Sequence, residues 1–198
     1  ARVAEEIGLE LEILSHDEEA SLALLGCLPL VDAAADEVLM VDIGGGSTEI
    51  VWVDRSARPS ERSRPGLAVS LPVGVVTLAE SFATDPDETH YRAMVEAVRT
   101  ILCAAPVAGF RPRSLEPPAV QMLGTSGTVT TLAAVHLGLK RYDRRRVDGL
   151  VVSYQAIAAV ADRLKRLDHR GRAAHPCIGQ GRADLGLARC GIHGGTHY

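Results

Sequence analysis

Asp42 and Glu49 stand at the two ends of the run Asp42-Ile43-Gly44-Gly45-Gly46-Ser47-Thr48-Glu49. Carboxylates hold hard cations and orient water. Three consecutive glycines leave backbone N–H groups unshielded, and such a loop can form a nest of donors that fits a phosphate. An anion-attracting loop with an acid at each end points to metal-assisted chemistry on phosphates. A dinucleotide loop should lead into a helix, but β-branched and aromatic residues, Ile50-Val51-Trp52-Val53, follow here. A Walker loop needs Gly-Lys-Ser/Thr, and no Lys lies nearby. A purely structural hairpin remains open, because Gly is the default residue of tight turns.

A second Gly-containing segment, Gly124-Thr125-Ser126-Gly127-Thr128, follows the apolar run Val120-Gln121-Met122-Leu123. It precedes the apolar helical stretch Val129 to Leu137, so it reads as a strand-to-helix turn. Its N–H groups and the helix dipole suit an anion; a plain Thr/Ser cap is the alternative. One polyphosphate can bridge two such loops on neighbouring strands. A third acid lies upstream, where Ser15-His16-Asp17-Glu18 forms a capping box that folds Glu18 back on the helix start. Glu19 is rotated ~100° from it and is free to face a cleft. The run Lys140-Arg141-Tyr142-Asp143-Arg144-Arg145-Arg146 reads as a solvated loop, with guidance of a polyanion as the alternative. His169, His175 and Cys177 fit no metal-ligand spacing.

The elements that must position these residues follow from periodicity. Residues 1–8 read as a helix end stopped by Gly8, and Leu9 to Leu14 alternates like a strand. The capping box opens a helix that Pro29 ends. Val38-Leu39-Met40-Val41 and Ile50 to Val53 are the strands of a hairpin spanning residues 38–54. A third strand is expected over Leu67 to Val73, and helices over Val75 to Phe82 and from Asp85-Pro86-Asp87-Glu88 to about Ala104. Residues 55–65 and 105–118 are loops. Residues 138–149 form a basic loop, Ser153 to Leu167 a helix, and residues 181–189 start another. This order gives an α/β layer with both Gly-rich loops at the carboxyl ends of strands, where ligands of open sheets bind.

The chain has 198 residues, 46% apolar and 23% charged, with a formal charge of -4. One or two domains and a sizeable core are expected. That charge exerts no general pull toward nucleic acid or anionic membrane, so neither is an expected partner. No apolar stretch reaches membrane-spanning length. The four cysteines, Cys27, Cys103, Cys177 and Cys190, are scattered without a CxxC pair and read as reduced thiols of a cytoplasmic protein. Cys190, His193 and His197 can be drawn as zinc ligands, but the Gly-rich surroundings favour an irregular tail over residues 188–198.

The strings EEASLALLGCL (18–28), VDIGGGSTEIVWV (41–53), GTSGTVTTLAAVHLGL (124–139) and PCIGQGRADL (176–185) together resemble the exopolyphosphatase/guanosine pentaphosphate phosphatase family of the actin-like ATPase superfamily. The resemblance implies ribonuclease-H-like α/β domains flanking a cleft, Mg²⁺-dependent hydrolysis of a terminal phosphate, and usually a homodimer. Residues 1–30 then correspond to the tail of a first domain and a linking helix, and residues 38–187 to a second domain. By the same resemblance both ends are expected to be cut, and the chain alone to be a poor catalyst. Glu19 matches the family's catalytic base. Asp42 and Glu49 match acids that hold metal or orient water. Gly44, Gly45, Gly46 and Ser47 match one phosphate loop, and Gly124, Thr125, Ser126, Gly127 and Thr128 the other. His16 stands where the family usually has Gly, and the pattern fades after about Gly186. The substrate is expected to be polyphosphate or guanosine pentaphosphate. The rivals are a sugar-kinase-like or actin-like ATPase and a non-catalytic phosphate-binding remnant.

Overall fold

The computed structural model describes residues 2–10, 12–55, 66–82, 88–106 and 120–179. Helix α1 (Arg2–Ile7) stops at Gly8, which takes the left-handed conformation at φ 69°. Helix α2 (His16–Cys27) begins at the capping box. The Ser15 Oγ accepts the Glu18 N–H at 3.3 Å, and the Ser15 N–H donates to Glu18 Oε2 at 2.8 Å. A 3₁₀ turn over Leu28–Leu30, with Pro29 in it, ends the helix. Residues 9, 10 and 12–14 do not form the expected strand. A strand needs a ladder partner, these residues find none among the described residues, and Ile13 is left 98% exposed.

Four strands form one sheet in the order β3-β2-β1-β4. Strands β1 (Glu37–Ile43), β2 (Thr48–Asp54) and β3 (Leu67–Leu71) are antiparallel neighbours, and β4 (Val120–Thr125) runs parallel to β1. The third strand ends two residues earlier than its alternation suggests. Side chains of β1 are buried on both faces, which accounts for its nearly continuous apolar run. On one face Val38, Met40, Val51 and Val53 pack under Ala20 and Leu24 of α2. On the other, Val41, Ile43, Ile50 and Leu71 pack against α3 (Val75–Ser81) and α4 (Glu88–Ala104), through Val75, Leu78, Met94 and Val98.

Beyond β4 the chain turns directly into α5 (Ser126–His136), three residues earlier than apolar periodicity predicts. The difference arises because Ser126, Gly127 and Thr128 form the first helical turn, where polar residues are favoured. The basic segment is not all loop. Asp143 caps a single turn, α6 (Arg144–Val147), whose Val147 is buried. Helix α7 (Tyr154–Lys165) lies on α5, and Leu132, Val135, Val160 and Leu164 make a second core between them. A further short helix, α8 (His169–Ala174), capped by Asp168, was not foreseen.

Cys27, Cys103 and Cys177 are free thiols. Cys103 is exposed and Cys177 is buried. Near α8, the His175 ring nitrogen accepts the Cys177 N–H at 3.3 Å and the Cys177 thiol donates to the Leu139 carbonyl at 3.1 Å. Those groups are occupied by local structure. No helix among the described residues is long and apolar enough to cross a membrane. Residues 56–65, the cap at Asp85-Pro86-Asp87, most of the connection 105–118, the helix expected from 181, and Cys190, His193 and His197 lie outside the described residues.

Candidate active site

The strand register lines up four polar residues across the whole sheet. Glu49 is opposite Asp42, Ser70 is opposite Glu49, and Thr125 is opposite Asp42. Directly opposed residues share a face, so the row from β3 to β4 reads Ser70, Glu49, Asp42, Thr125. Alternation puts this row on the face that carries Val38, Met40, Val51 and Val53, the face covered by α2. The Ser70 hydroxyl donates to Glu49 Oε1 at 3.0 Å, and the Thr125 hydroxyl donates to Asp42 Oδ2 at 2.8 Å. Among the described residues the other oxygen of each carboxylate, Asp42 Oδ1 and Glu49 Oε2, accepts no hydrogen bond.

The Gly-rich hairpin closes at the end of β1, with the Gly44 N–H donating to Ser47 O at 3.0 Å. Its carbonyls are taken up by α3. Gly44 O accepts the Val75 N–H at 3.0 Å, and Gly45 O accepts those of Val76 at 2.8 Å and Thr77 at 3.3 Å. In a trans peptide the C=O and the following N–H point in opposite directions. The N–H groups of Gly45 and Gly46 are therefore aimed away from α3, which lies on the opposite face of the sheet from the acids. Both glycines are exposed, and neither N–H has a partner among the described residues.

None of the three hairpin glycines has a φ in the left-handed region. What constrains the hairpin is contact: a Cβ on Gly74 would meet Gly45 O at 2.3 Å and Gly46 N at 2.6 Å. The buried Thr48 hydroxyl donates to Val73 O at 2.6 Å and fastens the same junction.

The second loop sits beside the first, because Val41 and Asp42 of β1 pair with Gly124 and Thr125 of β4. Thr125 is the N-cap of α5, yet its side chain makes no capping bond; it serves Asp42 instead. The first N–H groups of α5, on Ser126, Gly127 and Thr128, are consequently left without a side-chain partner among the described residues, at the positive end of the helix. Ser126 has φ 74°, a left-handed conformation that costs a non-Gly residue free energy and that clusters at functional sites. Gly124 is required by contact, since a Cβ there would meet Val129 Cγ1 at 2.7 Å.

Glu19 opens α2 and is exposed, with its N–H bonded to Ser15 O at 3.0 Å. Its neighbour Ala20 is 3% exposed and packs on the acid-bearing face. The structure thus brings together Asp42, Glu49 and both loops, and places Glu19 on the helix over the same face without a bond to either acid. At the far end of α2, burial and then the nearby Asp42 charge push the Cys27 thiol up, so it stays protonated at neutral pH. Sequence reasoning missed Ser70 and Gly74. Ser70 carries no signal until the register is known, while Gly74, after a strand and before a helix, could have been read as a close-approach position.

The donor chemistry suits Mg²⁺. That ion takes hard oxygen ligands and is commonly held by one or two carboxylates plus phosphates and water. Asp42 and Glu49 supply two such carboxylates; no group of three or more His, Cys, Asp or Glu that could hold a metal gathers anywhere among the described residues, this site included.

The sequence matches the Ppx/GppA phosphatase family over residues 1–192. The chain belongs to this family. Exopolyphosphatase 2 of Mycobacterium tuberculosis is 28% identical over 184 residues, covering 90% of this chain and 52% of that protein. The Ppx/GppA family member of Aquifex aeolicus superposes with a TM-score of 0.76 at 30% identity, covering 96% of this chain and 57% of the other. An exopolyphosphatase-like protein gives a TM-score of 0.79 at 29% identity, covering 96% and 59%. The α/β expectation therefore holds, in the actin-like ATPase fold of Ppx/GppA proteins. The chain spans about half the length of Exopolyphosphatase 2 of Mycobacterium tuberculosis.

Proposed function

We propose that this chain carries the phosphate-cleaving site of a phosphoanhydride hydrolase that releases the terminal phosphate of inorganic polyphosphate or guanosine pentaphosphate. The observation that carries this reading is the meeting of an acid pair with two sets of uncapped backbone N–H groups at adjacent strand ends. The exopolyphosphatase names of the relatives support the substrate class.

In this mechanism the N–H groups of Gly45 and Gly46 and those opening α5 hold phosphate oxygens and neutralise charge that builds in the transition state. Gly44 and Ser47 shape the first cradle, and Gly124 and Thr128 the second. Asp42 and Glu49 would hold Mg²⁺ or the attacking water; bound there, the ion would supply further neutralisation of phosphate charge. Glu19 accepts a proton from water as the water oxygen bonds to the terminal phosphorus. The bridging P–O bond breaks, and the shortened chain departs with that oxygen. Positioning and charge stabilisation account for most of the rate. Assembly as a homodimer and a cytoplasmic location belong to the same reading.

The test is product analysis on the purified protein with long-chain polyphosphate and with guanosine pentaphosphate, in Mg²⁺ and in chelator. Mg²⁺-dependent release of single phosphates is expected. Binding without turnover would make the protein a phosphate-binding module, and transfer to an acceptor would make it a kinase.

A further inference from the structure

Among the described residues, each carboxylate of the acid pair is bonded from its outer side only. Ser70 donates to Glu49 from β3, and Thr125 donates to Asp42 from β4. Terminal carboxylate torsions are broad and roughly two-fold, so an untethered carboxylate samples many orientations. One hydroxyl donor on one oxygen removes that freedom and leaves the second oxygen as an acceptor. The four residues occupy a single register row, which makes the arrangement a property of strand pairing and not of loop conformation.

We propose that Ser70 and Thr125 are positioning residues that present Asp42 Oδ1 and Glu49 Oε2 to the cation of a Mg²⁺–phosphate complex. This rests on the reading of the acid pair as a Mg²⁺ and phosphate site, and it changes what Thr125 does. Its hydroxyl orients an acid, while the amides after it are freed for phosphate because it does not cap them. Ser70 lies 21 residues from the acid it serves and outside both Gly-rich loops. Hydrogen-bonding partners of metal ligands typically cost ~10–100-fold in metal affinity or activity when removed.

The experiment is a calorimetric Mg²⁺ titration in the presence of tripolyphosphate, with a melting curve for each protein. Ser70→Ala and Thr125→Val should each weaken Mg²⁺-dependent binding by ~10-fold or more while melting close to the unsubstituted protein. Ser70→Thr and Thr125→Ser keep a hydroxyl and should recover most of the affinity. A purely structural role would show as a lowered melting temperature with unchanged affinity. Unchanged binding in the Ala and Val variants, or equal loss in the hydroxyl-retaining pair, would overturn the assignment while leaving the site intact. Failure of the unsubstituted protein to bind would remove the site itself, and this inference with it.

Discussion

Glu19 and Glu18 are adjacent acids with different fates. The Glu18 carboxylate is engaged by Ser15, whereas Glu19 is exposed beside the buried Ala20. Glu19→Gln is expected to leave substrate binding within a few-fold and to cut turnover by ~10²-fold or more, as read from steady-state phosphate release. Greater damage from Glu18→Gln would reverse the two roles. The glycines divide in the same way. Gly46 has open space where a Cβ would sit, but one at Gly74 would collide with the hairpin backbone. Gly46→Val should therefore block phosphate with little change in melting temperature. Gly74→Ala should lower stability by about 1–3 kcal/mol and weaken phosphate binding as well. Paired tripolyphosphate titrations and melting curves check both. Loss of stability alone in Gly46→Val would favour a merely structural hairpin.

At the scale of elements, α2 carries Glu19, and its start is held by the capping box. The backbone N–H of Ser15, and then its hydroxyl, hold the Glu18 carboxyl below the usual carboxylate range. A depressed folded-state value means that this contribution is fully present above the ordinary glutamate pKa and is lost as pH falls through the lowered one. Glu18→Ala should therefore lower the melting temperature more at about pH 7 than at about pH 3. An equal loss at both values would count against the carboxylate's part in the cap. The hairpin, the strands beside it and α2 were all legible in the sequence, because two-residue alternation, glycines and a capping box are local signals. The segment Leu9 to Leu14 alternates equally well, but its described residues make no strand, since alternation does not supply a pairing partner. Ser70 became meaningful only through a register that local sequence does not encode. The uncapped start of α5 was hidden for a similar reason: Thr125 looks like an ordinary cap until its hydroxyl is seen on Asp42.

For the molecule as a whole, a formal charge of -4 opposes any polyanion at long range. The site must overcome this locally, and the sheet separates the two tasks. One face buries α3 and α4 and absorbs the hairpin carbonyls, while the other carries the acids and turns the hairpin amides outward. In the proposed site the carboxylates act with a cation and the amides act on phosphate. Calorimetric titration of tripolyphosphate into the protein, with Mg²⁺ and with chelator, tests this most directly when repeated on Asp42→Asn and Glu49→Gln. Mg²⁺-dependent binding is expected, weakened by ~10-fold or more by either substitution, with the fold retained. Binding that ignores both Mg²⁺ and the two substitutions would contradict this reading.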